Sequence, residues 1–252
     1  MKATTALVSA AAFAASMAAA ALPARAAVIA DFDPITNSAD YKWVADGSGG
    51  SLFSINSSGD SSAQGVSTQF TFLSNGFPDL RNLASTFTLS ATAASGNPAS
   101  MGASGTFTQP GLDGTFSFTY SGPATTIDGV HLTTGENLLS GTFDNAWIQG
   151  AGGSGSTNVT IGNGGSASYT SAVLDLSHIT PNSQEFAFNM LSVSPTFHAT
   201  TGDALGSFTA NGGGNFDAAG AVPEPATWGL MILGFGGAGA LLRSRRREFV
   251  KA

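Results

Sequence analysis

Side chains suited to catalysis or metal binding are few and scattered along this chain. The three histidines, His131, His178 and His198, show neither an H-E-x-x-H nor an H-x-H spacing. There is no G-x-S-x-G elbow and no cysteine, so neither a serine nor a thiol nucleophile is marked. The best metal candidate is Asp31-Phe32-Asp33. Carboxylates two residues apart on an extended chain point the same way, so Asp31 and Asp33 could share a structural Ca²⁺. Asp60 and Asp144-Asn145 are its candidate partners, although no EF-hand or glycine–aspartate repeat accompanies them. An acid pair for glycoside hydrolysis is defined by spatial separation and is not legible in a sequence. Trp43, Trp147 and Tyr41 would stack on sugars if exposed and fill a core if not.

Both ends of the chain carry ordered patterns of another kind. Lys2, the apolar run Ala6–Ala21 and the small-residue site Ala24-Arg25-Ala26 read as a signal peptide over residues 1–26, with Leu22-Pro23 breaking the signal helix before the cut. Cleavage would leave Ala27 as the first mature residue, after passage through the Sec translocon and past signal peptidase. At the other end come Pro223-Glu224-Pro225, Trp228, a run free of charge over residues 226–242, and Arg243, Arg245, Arg246 and Arg247. Seventeen helical residues span roughly 25 Å, the short end of what crosses a bilayer. Trp228 suits the head-group layer, and the arginines set the cytoplasmic side, which leaves Glu224 outside. Gly236 and Ala240 form a small-x-x-x-small pair, a helix-association pattern.

That tail resembles the PEP-CTERM sorting signal of Gram-negative bacteria in its Pro-Glu-Pro-x-x-Trp form. The resemblance covers residues 222–247, about a tenth of the chain: the box is 223–225, the transmembrane helix 226–242 and the basic stop 243–247. It implies that an exosortase, an integral-membrane cysteine protease-transpeptidase, cuts near the box. The protein would hold briefly to the inner membrane with its ectodomain in the periplasm. It would then be released or attached at the cell surface, often in bacteria that make exopolysaccharide. One departure is the extension Glu248-Phe249-Val250-Lys251-Ala252 beyond the arginines. Some ice-binding proteins carry the same tail, so it accompanies ectodomains of different function.

Between these ends, residues 27–210 read as one domain and residues 211–221 as a Gly-rich linker to the box. From Ala27 to Pro225 there are two basic residues, Lys42 and Arg81, against fifteen acidic ones, a balance of −13. A domain of that sign repels nucleic acid and anionic lipid. With no cysteine in an oxidising compartment, stability must come from packing or bound ions.

Helix signals are nearly absent from this domain, and period-two alternation is frequent. Val66–Leu73, Thr86–Ser90 and Gly114–Tyr120 alternate clearly. Val28–Phe32, Ser51–Ile55, Asn137–Trp147, Ser168–Leu176, Gln184–Val193 and Ala204–Ala210 are further candidate strands. About ten short strands between Gly/Asn/Asp/Pro turns predict an all-β, antiparallel β-sandwich of jelly-roll type. A parallel solenoid is the alternative, without a fixed-period repeat to support it. Gly-Thr-Phe recurs at residues 105, 114 and 141, which composition alone explains. The stretch Gly150–Ser166 reads as two hinges around an edge strand or a projecting hairpin.

Three functions compete. A non-enzymatic surface or matrix protein associated with envelope or exopolysaccharide is favoured, since the composition supplies a β-domain and no reaction centre. A carbohydrate-binding module, with ice binding as a special case needing a flat Thr-rich face, is the second. A polysaccharide hydrolase, which needs an acid pair in a cleft, is the third.

Overall fold

The structure, a computed structural model, describes residues 27–218 apart from 37, 74–79, 103, 154–158, 163, 178, 180–183 and 200–201. The expected signal peptide, residues 1–26, and the tail, residues 222–247, therefore lie outside the described residues. Every regular element in them is a strand, in this order: β1 (Ala27–Pro34), β2 (Tyr41–Asp46), β3 (Gly49–Ser54), β4 (Val66–Phe72), β5 (Leu83–Ala93), β6 (Ser100–Met101), β7 (Thr106–Tyr120), β8 (Thr125–Ile127), β9 (Val130–Leu132), β10 (Asn137–Ala151), β11 (Val159–Gly162), β12 (Ala167–Thr170), β13 (Glu185–Ser194) and β14 (Phe208–Ala218).

The expected all-β antiparallel fold is present, and its layers are continuous. Hydrogen-bonded ladders run β1–β4–β5–β7–β10–β11–β13–β14 and return to β1. β2 and β3 form a second path between the other halves of β14 and β5. The strands thus close into a ring rather than leaving two open sheets, and closure removes the unpaired edges that invite aggregation. β12 pairs the first half of β10, β6 caps the far end of β7, and β8–β9 is a separate hairpin.

A ring of about eight strands has an interior just wide enough to be filled by side chains. Here phenylalanine fills it. Phe32 lies 4.9 Å from Phe87 and 4.7 Å from Phe118, and Phe70 is also 4.7 Å from Phe118. Phe116 contacts Phe216 at 4.9 Å, and Phe186 bridges Phe143 and Phe188. Such tilted and edge-on pairs each add about 0.5–1.5 kcal/mol beyond the apolar area they bury.

Large rings on the inner face need small residues opposite them. Gly141 faces Phe116 and Gly114 faces Phe143 across the β7–β10 ladder. A Cβ on Gly141 would lie 2.7 Å from the Phe116 ring, and one on Gly114 would lie 2.7 Å from the Phe143 ring. Two of the Gly-Thr-Phe repeats are therefore antiparallel partners, each glycine seating the other's ring. Composition alone does not account for them.

Four features of the chain depart from expectation. The stretch 211–215, expected as linker, lies inside β14, paired with β13 and β1. Its glycines serve close approach: a Cβ on Gly214 would meet the Phe188 and Phe32 rings, and Gly212 has φ 149° with Asn189 O against it. The domain accordingly extends to Ala218, past the expected boundary at 210. β11, expected at an edge, is held between β10 and β13, with Ile161 in the core. β2, unexpected, carries Tyr41 and Trp43 inward, both fully buried.

Candidate functional site

The candidate residues of the domain are distributed as follows. Asp31 and Asp33 do share the outward side of β1, while Phe32 between them points into the core. Burial raises the Asp31 carboxyl above its usual value, the Asp33 charge raises it further, and the Arg81 guanidinium draws it back down. Arg81 thus supplies Asp31 with a positive charge from the chain itself. Among the described residues no third His, Asp or Glu joins them.

The expected partners of that pair have local structural roles. Asp60 Oδ2 accepts from the backbone N–H groups of Asn56 and Ser57 at 2.9 and 2.8 Å, and Lys42 Nζ donates to the carbonyls of Ser58 and Asp60. Together these bonds tie down the loop after β3. Asp144 accepts from the backbone and hydroxyl of Ser166, and these bonds hold its carboxyl below the ordinary range. Asn145 takes the positive φ of a bulge in β10 and donates its N–H to Asp113 Oδ1 at 2.8 Å.

The histidines and aromatic rings separate in the same way. His131 Nδ1 lies 3.2 Å from Thr126 Oγ1 within the β8–β9 hairpin, and His198 Nδ1 lies 2.7 Å from Thr196 O. His178 is outside the described residues. Trp43 and Tyr41 are fully buried, and Trp43 Nε1 donates to Leu205 O at 2.9 Å, so neither can stack on a sugar. Trp147 is different. It is half-buried on the outer side of β10, and its ring lies over Gly162, where any side chain would collide with it.

Two carboxylates sit in unusual surroundings. Asp40 is 2 % exposed just before β2, and its Oδ2, Tyr41 Oη and Asn211 Oδ1 find no hydrogen-bond partner among the described residues. Burial pushes the Asp40 carboxyl up to about 6, against a hydrogen bond with the Gly212 backbone that lowers it. Glu185 and Asp217 oppose each other across β13–β14. Burial raises the Asp217 carboxyl, the Glu185 charge adds to this, and Asn215 Nδ2 donates to Asp217 at 2.8 Å.

The most regular polar surface is one the sequence reading missed. Outward positions of β5, β7, β10 and β12 fall into register as two rows. One runs Thr88, Ser117, Ser140, Thr170; the next runs Ser90, Thr115, Thr142, Ser168. Strand geometry sets neighbours in a row about 4.8 Å apart and the rows about 6.8 Å apart. Within the rows Thr88 pairs with Ser117 at 2.6 Å, Ser140 with Thr170 at 2.9 Å and Thr142 with Ser168 at 2.8 Å. These eight side chains and Ala63 of the loop before β4 line a groove of about 400 Å³, and among the described residues that line it none is charged. Trp147 lies further along β10 on the same outer side. The period-two alternation in 114–118 and 140–143 was visible; the alignment of its polar halves across four strands depends on register, which the sequence does not display.

A second groove, of about 600 Å³, is lined by residues of β2 and β3 with Ser61 and Ser207, and includes Lys42 and Asp46. Among the described residues lining them, neither groove has a pair of carboxylates.

The remaining candidates, Ala24, Ala26, Pro223, Glu224, Pro225, Trp228, Arg243, Arg245, Arg246 and Arg247, lie outside the described residues; Ala27 opens β1. Among the described residues no helix is long and apolar enough to cross a membrane. The family description "PEP-CTERM protein-sorting motif" matches residues 221–247. The chain carries a PEP-CTERM sorting motif. The motif supports an exported, exosortase-sorted extracellular protein, held at a membrane before sorting. No curated protein and no solved structure matches the chain. The PEP-CTERM tail thus speaks to sorting, and the β-domain has to be read from its own surface.

Proposed function

We propose that this protein is a non-catalytic component of the cell surface or extracellular matrix, delivered there by exosortase and associated with envelope exopolysaccharide. Signal peptidase removes residues 1–26 after Sec export, the apolar run holds the ectodomain in the periplasm, and processing near Pro223-Glu224-Pro225 ends the anchoring. The observation that carries this reading is the PEP-CTERM match over residues 221–247. A binding role rather than catalysis is supported by two grooves without an acid pair and by described histidines each occupied with a near neighbour.

The test replaces Pro223, Glu224 and Pro225 together by alanine. The apolar run and the arginines suffice for insertion, whereas two prolines around one carboxylate keep the box extended and outside a helix, where an enzyme can read it. Wild type should yield a shortened species outside the inner membrane, and the variant an uncut precursor within it, by fractionation and intact mass. Equal processing of both forms would leave a plain C-terminal anchor and overturn the proposal.

A further inference from the structure

We propose that the hydroxyl-lined groove over β5, β7, β10 and β12 binds a chain of neutral polysaccharide, with Trp147 as a stacking platform beyond its end. This assignment deepens the exopolysaccharide association proposed above and rests on it for its biological setting, not for its chemistry.

Charge selects the class of ligand. The chain from Ala27 to Pro225 carries two basic and fifteen acidic residues, yet none of the described residues lining this groove is charged. An acidic polymer is repelled by the domain as a whole. A basic one is drawn to acidic residues elsewhere on the domain, such as Glu185 with Asp217, rather than to a field of hydroxyls. A neutral polyol meets neither penalty, and each Ser or Thr hydroxyl both donates and accepts, as the hydroxyls of a sugar do. An ordinary solvated strand face would intersperse Lys and Glu among its polar residues.

Shape selects an extended chain over a flat solid. The surface is hollowed to about 400 Å³, with Ala63 of the loop before β4 joining the strands in its lining, a shape that suits a single polymer strand better than a planar lattice such as an ice face. Rigidity favours affinity. The hydroxyls stand on paired strands, and six of the eight are oriented by cross-strand hydrogen bonds, so part of the side-chain freedom is already lost before binding. Trp147 is likewise held, its ring against Gly162 and half-buried, and the part left exposed would meet the C–H side of a sugar ring.

The experiment is affinity electrophoresis of the processed protein recovered from the producing cells. Gels contain galactomannan, mixed-linkage β-glucan, dextran or alginate, at low and high salt. Retardation by at least one of the three neutral polymers, unchanged by salt, is expected, with none by alginate. Thr115→Val with Thr142→Val keeps shape and β-branching while removing two central hydroxyls, and should weaken binding at least tenfold. Trp147→Ala should weaken it as well, and Ser67→Ala on β4 should not. Unchanged thermal melting of the double variant separates lost binding from lost folding. Retardation by none of the neutral polymers, or equal retardation of wild type and double variant, would overturn the proposal. So would thermal hysteresis of freezing that the double variant abolishes, which would assign the face to ice. A dimer that the double variant dissociates would assign it to a second copy of the chain. Binding is read on purified protein, so a failure here leaves the sorting experiment untouched, and the reverse holds too.

Discussion

Residues 114–118 of β7 serve two surfaces in alternation. Gly114, Phe116 and Phe118 turn into the ring, where Phe116 packs against Phe216, Tyr169 and Phe186 and over Gly141. Thr115 and Ser117 turn outward into the hydroxyl rows. The inner set is constrained by volume: every ring needs a partner, and some need a glycine beneath them. The outer set is constrained only by solubility and by whatever it binds. A regular outer grid is therefore informative in a way that a regular inner one is not, since packing would tolerate many polar residues at Thr115 or Thr142. The contrast predicts that substitutions on the inner side cost stability, and that those on the outer side cost binding alone.

The largest effect should come from Phe116→Ala. Removing a buried ring leaves a cavity among its aromatic neighbours, at a cost of about 3–5 kcal/mol. For a domain of this size the melting temperature should fall by roughly 10 °C or more. Calorimetry of the processed protein reads it directly. A fall of only a degree or two would mean that the ring interior is loosely packed, and the contrast between faces would dissolve.

Gly212→Ala comes next, because it tests the glycine run that reads as a linker and folds as a strand. Gly212 has φ 149°, and a Cβ there would meet Asn189 O of β13. Strain together with a displaced ladder should cost about 2–4 kcal/mol. Thermal melting of the variant measures it, and a true linker would accept alanine without loss.

The same site shows what the sequence could and could not disclose. Strands announced by alternation, such as Val66–Phe72 and Gly114–Tyr120, are where expected, because one buried face imposes period two. β2 has that pattern too, with Tyr41 and Trp43 inward and Lys42 and Val44 outward, and was legible in principle. β14 was not, since Gly212-Gly213-Gly214 has no side chains to alternate, and its strand character comes from β13 and β1 on either side. The closure of the ring was hidden for the same reason: β1–β14 and β5–β7 are long-range pairings. At the termini the reverse holds. The box, the apolar run and the arginines are local patterns, complete in the sequence, and the family match rests on them.

Asp40→Asn sharpens the comparison by its pH dependence. Asp40 is an ionisable residue on the buried side, and burial raises its carboxyl to about 6 in the folded state, against an ordinary value of 3.8. The folded protein therefore binds more protons than the unfolded chain between those values. The contribution is favourable to folding at low pH and is lost as pH rises through about 6. Wild type should be less stable at pH 8 than at pH 5, with Asp40 contributing on the order of 1–2 kcal/mol to the difference once solvent screening is allowed for. An amide in its place carries no such penalty, so the variant should gain stability at pH 8 and little at pH 4. Urea denaturation of both proteins across this range measures it, and a gain independent of pH would mean that Asp40 does not titrate there.

The smallest effect on stability should be that of Thr115→Val with Thr142→Val, the pair that is expected to weaken binding at least tenfold. Both residues are exposed and face each other across β7–β10, so valine keeps the branched shape that suits a strand. Thr142 gives up one cross-strand bond to Ser168, which is solvent-exposed and can turn to water instead. The net change should stay within about 0.5 kcal/mol, the range of ordinary surface substitutions. Melting curves of variant and wild type should then nearly overlay while their migration in a neutral polysaccharide gel diverges. A large loss of stability would show that the hydroxyl rows act as fold-holding ladders, and the division of β7 and β10 into a structural face and a recognition face would fail.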